Sequence, residues 1–271
     1  MIAKNTTPSR RRVAIIRNYK LDGVWGQDML DSFSNLILAS EPDAVVQHFQ
    51  PIDGGLFPDA SDYDLVILTG GTYDLTQPGN FDPWVAGLLD WIRNTVASSP
   101  QTNLLGICWG HQAISHALGG KIAYREGGTL QQPTPIRMNM RIPRAACLHF
   151  PRRQIDVVDI PLSHEGQAFF KDFKSLRLHK FHKRVVTEPP PGFRYLADDY
   201  EISMSDSNKV MTFQGHPEMT AKIAQGIVSA RDPSYLPDPS PEGIAQLHND
   251  LEKIEDGKKA FSKVMSWAFE S

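Results

Sequence analysis

Cys108 stands in Leu104-Leu105-Gly106-Ile107-Cys108-Trp109-Gly110-His111-Gln112, with a glycine two positions to either side, an apolar run before it and the apolar stretch Ala113 to Leu118 after it. A strand that reverses tightly into a helix through Gly-x-Cys-x-Gly lifts the central side chain clear of the sheet in a strained conformation. The backbone N–H groups at the start of that helix point toward the reacting atom and favour thiolate over thiol. The chemistry open to such a residue is attack on a carbonyl carbon. A cysteine without this setting is more often a packing residue, and Cys147, in Arg144-Ala145-Ala146-Cys147-Leu148, is read that way.

A thiol nucleophile needs a base within hydrogen-bond reach and a third group that orients the base. Phe213-Gln214-Gly215-His216-Pro217-Glu218 supplies both. The apolar run Val210 to Phe213 places His216 just past a strand end, and Glu218 can turn back on the imidazole while Pro217 stiffens the chain between them. Among nine histidines, His164-Glu165 and His179-x-x-His182 are weaker rivals. His111 and His116 are read as packing or surface residues, and His48, His149 and His248 lack a polar constellation. The oxyanion formed by attack needs preorganised N–H donors, worth about 3 to 4 kcal/mol each. Trp109 offers one N–H, and Leu68-Thr69-Gly70-Gly71-Thr72, an apolar strand ending in two glycines, offers Gly71 as a second. The two cysteines give no zinc pairing, so no metal is assigned.

These residues require a sheet to hold them. Val13 to Arg17, Ala44 to Phe49, Leu65 to Leu68 and Asn103 to Ile107 are short apolar runs of the buried-strand kind. Trp25 to Ser40 and Pro83 to Val96 carry helical spacing between them. The alternation predicts an α/β fold: an open, mostly parallel, flavodoxin-like sheet flanked by helices on both faces. Ile136 to Ile142, Gln154 to Ile160, Arg194 to Ala197 and Lys209 to Phe213 read as antiparallel strands added at one edge. Thr220 to Ser229 and Glu242 to Phe269 read as C-terminal helices joined by the proline-rich segment 232–239.

With 271 residues and 41% hydrophobic content, the chain can bury a full core. A single domain is expected over 13–271, with an enlarged insertion at about 121–180, a helical extension at about 219–271, and a disordered leader over 1–12. A net charge of -3 gives no overall attraction to nucleic acid or anionic lipid, and the basic runs Arg10 to Arg12 and Arg152-Arg153 are read as solvated surface. Two cysteines do not make a disulfide framework, and no stretch reaches the roughly 20 apolar residues of a membrane span. A cytoplasmic protein with neither nucleic-acid nor membrane partner is expected; the pattern leaves its oligomeric state open.

Together the motifs resemble those of the class I glutamine amidotransferases. Gly106-Ile107-Cys108-Trp109-Gly110-His111-Gln112 is similar to that family's nucleophile motif, Gly70-Gly71 to its oxyanion strand and Gly215-His216-Pro217-Glu218 to its His-x-Glu pair. Asp53-Gly54-Gly55-Leu56-Phe57-Pro58, Pro83-Trp84 and the C-terminal extension resemble the stand-alone, GMP-synthase-like branch that includes the γ-glutamyl peptidases. The resemblance implies a Cys108, His216 and Glu218 triad acting through a glutamyl thioester, without a cofactor. It also implies Gly71 and Trp109 as oxyanion donors and Gly70, Thr72, Gln112, His182 and Arg184 as substrate-binding residues. The family's His-x-Asp-x-Val has Arg184 where the acid would stand, in His182-Lys183-Arg184-Val185-Val186, a charge reversal that bears on what is accepted. Four readings compete: hydrolysis of a small γ-glutamyl amide, delivery of ammonia to a separate synthase partner, acyl transfer on a specialised metabolite, and a binding protein that keeps the fold but not the reaction, against which the intact Cys, His and Glu set argues.

Overall fold

A computed structural model describes residues 10–125 and 154–270, apart from 22, 78, 80 and 232–235. The first half contains β1 (Arg12–Asn18), α1 (Val24–Ser40), β2 (Val45–Phe49), β3 (Leu65–Gly71), α2 (Pro83–Ser98), β4 (Asn103–Ile107), α3 (Trp109–Ala117) and β5 (Lys121–Tyr124). The second contains β6 (Gln154–Pro161), α4 (His164–Phe170), β7 (Ser175–His182), β8 (Arg184–Glu188), β9 (Phe193–Tyr195), β10 (Ile202–Ser205), β11 (Val210–Phe213), α5 (Ala221–Ala230), α6 (Pro241–Asp250) and α7 (Gly257–Glu270).

Seven strands form one sheet in the order β2-β1-β3-β4-β11-β10-β9, parallel from β2 through β11 and antiparallel over the last two. Side chains alternate across a strand, and here the alternation divides the core in two. Val13, Ile15, Leu65, Ile67, Leu105 and Ile107 pack on one face with α1, α5 and α7 residues such as Phe33, Ile223 and Phe261. Ala14, Ile16, Val66, Leu68 and Leu104 pack on the other with Leu88 and Ile92 of α2 and Ala113 and Ile114 of α3. Both faces are covered, so the central strands are apolar without a polar partner residue between.

The structure departs from the sequence expectation at four places. Lys209 to Phe213 was expected at an antiparallel edge, but β11 lies inside the sheet, parallel to β4, with all four residues buried; only β9 and β10 make the antiparallel edge. β6 and β7 form a separate two-stranded sheet, as do β5 and β8, and Ile136 to Ile142 lies outside the described residues. The single helix expected over Glu242 to Phe269 is two, α6 and α7. Between them Asp256 accepts from Arg177 N at 3.0 Å and donates its own N–H to Arg177 O at 2.8 Å, so pairing with β7 overrides helical spacing. At the other end Arg12 belongs to β1, and the Arg11 guanidinium donates to Phe269 O at 2.7 Å. Among the described residues no helix is long and apolar enough to cross a membrane.

Candidate active site

β3, β4 and β11 are neighbours and parallel, so their C-terminal ends come together. Each carries part of the site: Gly70 and Gly71 end β3, Cys108 follows β4, and His216 follows β11. In open α/β sheets this edge is where ligands bind.

Cys108 joins β4 to α3 with φ 52 and ψ -101, a left-handed conformation that costs a non-glycine residue of order 1–3 kcal/mol. The strain is held because the elbow is tied down on both sides: Cys108 N donates to Phe213 O at 2.7 Å and Gln112 N to Cys108 O at 3.1 Å. The two flanking glycines were expected to permit the reversal, yet neither has positive φ. Their role is close approach. A Cβ on Gly110 would stand 2.3 Å from Leu68 O, and one on Gly106 would stand 2.7 Å from Gly110 O, so only glycine lets α3 lie against β3 and return over β4.

His216 is 5% exposed, and its Nδ1 lies 2.8 Å from Oε1 of Glu218, itself 1% exposed. The other ring nitrogen, Nε2, is buried without a closed hydrogen bond, which leaves it for the sulfur. Burial opposes a charge on this ring, but the Glu218 carboxylate and then Cys108 outweigh it and raise His216 to about 10. Cys108 Sγ lies 3.8 Å from Phe181 O.

Gly70 separates the two reactive side chains: a Cβ there would meet His216 Cε1 at 3.2 Å and Cys108 Cβ at 3.7 Å. At Gly71 the obstacles would be Asn18 O at 2.6 Å and the Trp109 ring at 3.2 Å. The register of β1 against β3 shifts between Ile16 and Asn18, which brings Asn18 opposite this glycine.

A cleft enclosing about 60 Å³ is lined by Cys108, His216, Glu218, Gly70, Gly71 and Thr72, and by Tyr19, Trp25 and Phe181. Gln112, His182 and Arg184, expected to bind substrate, are not in its wall. Gln112 Nε2 donates to Arg184 O at 2.9 Å, and His182 Nδ1 lies 3.0 Å from the same carbonyl. The Arg184 guanidinium donates to Thr72 O at 2.8 Å and lies 3.5 Å from Asp74. A cation here holds the end of β3 from behind. Sequence reasoning missed Tyr19, Trp25 and Phe181, which come from the β1–α1 turn, the first turn of α1 and the β6–β7 hairpin, and carry no motif. His179, a weaker rival for the base, gives its carbonyl to His216 N at 2.9 Å; burial and then the His216 charge depress its ring to about 4. Cys147 lies outside the described residues.

The family model described as glutamine amidotransferase class-I matches residues 38–228, a span that contains Cys108, His216 and Glu218. The chain belongs to the class I glutamine amidotransferases. It is 33% identical to the glutamine amidotransferase-like protein chry6 of Gibberella zeae over 95% of each chain. It is 29% identical to γ-glutamyl peptidase 4 of Arabidopsis thaliana over 66% of this chain and 64% of the relative. The fold is that of a crystal structure of a glutamine amidotransferase from Methylobacillus flagellatus, with TM-score 0.65, 19% identity and 96% of both chains covered.

Proposed function

We propose that this class I glutamine amidotransferase hydrolyses a γ-glutamyl amide through a thioester on Cys108. The observation that carries the reading is one strained cysteine and one carboxylate-backed histidine lining the same cleft. The Cys108 sulfur attacks the γ-carbonyl carbon, and the N–H groups of Trp109 and Gly71 receive the oxyanion. The C–N bond then breaks as His216 gives its proton to the departing nitrogen. Water attacks the thioester, His216 takes the proton of that water, and glutamate leaves with the thiol restored. Glu218 holds the imidazole in one orientation and stabilises its charged form.

Thr72 and Gly70 line the acyl side of the cleft, and Arg184 acts on them through the Thr72 carbonyl. In this reading water completes the second half of the reaction and no synthase is required; a cytoplasmic, reducing setting suits a nucleophile that must stay a thiol. Glutamate release from glutamine and from γ-glutamyl amides by the purified chain is the test. Turnover that Cys108→Ala removes supports the reading. Turnover only when a synthase subunit is added would instead make the chain an ammonia donor, and turnover that survives Cys108→Ala would refute it.

A further inference from the structure

We propose that the Thr69 hydroxyl, held by Asn18, is the positioning group that turns the Gly71 N–H toward the reacting carbonyl as an oxyanion donor; this rests on the hydrolytic reading above. Close contacts exclude a side chain at Gly71, where a Cβ would stand 2.6 Å from Asn18 O, and crowd one at Gly70, where it would stand 3.2 Å from His216 Cε1. The consequence is a peptide bond flanked by glycine on both sides. Such a peptide turns over more easily than any other, because no Cβ favours one orientation. One orientation presents an N–H to the site, and the other presents a carbonyl oxygen that repels an oxyanion. A group outside the glycines has to choose between them.

The choice is made from β1. Asn18 N donates to Thr69 Oγ1 at 3.0 Å, and that hydroxyl donates in turn to Gly70 O at 3.1 Å. The Asn18 side chain pins the preceding peptide as well, its Nδ2 donating to Thr69 O at 3.0 Å, while its Oδ1 is buried without a hydrogen bond. The amide is thus kept for its donor end. Both residues are fully buried and neither lines the cleft, so whatever they do for the reaction passes through the glycines. No cis peptide occurs among the described residues, and in a trans peptide the N–H points opposite to the carbonyl. The hydroxyl that bridges Asn18 to Gly70 holds Gly70 O on the side of β1, and β1 lies across β3 from β4. The Gly71 N–H is therefore directed to the β4 side, where Cys108 stands.

The test compares two reactions of one sulfur, each followed on the peptide that contains Cys108. Attack on p-nitrophenyl acetate passes through an oxyanion as the S–C bond forms and p-nitrophenolate leaves, whereas displacement of iodide from iodoacetamide does not. Thr69→Val should slow acylation by about 10²-fold, the loss expected of one oxyanion donor, and change alkylation by less than about twofold. Thr69→Ser, which restores the hydroxyl, should bring acylation back to within about fivefold of the native rate. Asn18→Ala keeps the hydroxyl but frees the preceding peptide and should slow acylation alone by about tenfold, a measurement that stands even if Thr69→Val does not fold. With γ-glutamyl amides the same variants should lower kcat and leave KM within about threefold. Acylation unchanged in the folded variants, or both reactions slowed alike, overturns the proposal. A chain that shows the selective loss with the ester yet hydrolyses no γ-glutamyl amide keeps the Thr69 latch and loses the hydrolytic reading.

Discussion

The chemistry proposed at Cys108 depends on strain, and strain can be measured. Cys108→Ala keeps the left-handed backbone and should abolish turnover, by at least about 10³-fold, without unfolding the chain. Cys108→Gly should be just as inactive but more stable than Cys108→Ala by about 1 kcal/mol, because glycine relieves the φ of 52; equal urea midpoints for the two would deny the strain. His216 carries the second prediction. Its raised value means that the proton is held from the usual histidine range up to about 10, so the rate should fall only as pH rises through that value. Glu218→Gln removes the strongest interaction that raises it. The alkaline limb should then move down toward 6.5, with kcat lower by roughly 10² to 10⁴-fold. A limb that does not move would separate Glu218 from the histidine. The motif residues were legible because each is a local requirement, a nucleophile between glycines and a histidine two positions before an acid. Tyr19 and Trp25 were not, since their place in the cleft arises from how α1 packs on α5 and no spacing along the chain records it.

At the scale of elements, the site is set by how closely α3 lies on β3. Gly110→Ala would put a Cβ 2.3 Å from Leu68 O, a backbone obstacle that cannot rotate away, so a loss of about 2 kcal/mol or more is expected together with loss of activity. Gly166→Ala is the control: its Cβ would stand 1.8 Å from Leu196 O, where α4 meets the segment after β9, away from the cleft. It should destabilise while the remaining folded protein keeps its kcat. Arg184 acts between elements, tying β8 to the end of β3 through Thr72 O. Arg184→Ala should therefore lower kcat more than it raises KM, since it loosens the Gly70–Thr72 end of β3 through the Thr72 carbonyl and its own side chain is not in the cleft wall. The βα alternation was readable from apolar runs because both faces of the sheet are covered. The order of the second half was not readable, because a run such as Val210 to Phe213 is equally apolar at an edge or between β4 and β10. Only the pairing of β11 with β4 decides it.

Over the whole molecule, the buried histidines set a pH window for stability. Burial, and then Lys180, depresses His111 to about 3 and His182 well below 6.5; His179 is depressed to about 4. A group depressed in the fold stabilises it fully above its unfolded value. That stability is lost as pH falls from about 6.5, at about 1.4 kcal/mol per pH unit for each histidine that stays neutral. His216 has the opposite sign: its contribution is complete below about 6.5 and lost as pH rises toward about 10. Urea midpoints should be lower at pH 5 than at pH 7, and equal midpoints would contradict this. The central claim, that Cys108 carries the acyl group, is tested most directly by acid-quenching the protein during turnover of a γ-glutamyl amide and mapping adducts by peptide mass spectrometry. The account predicts one glutamyl group on the peptide containing Cys108. A glutamyl group found on any other residue, or steady turnover with Cys108 never acylated, would contradict it.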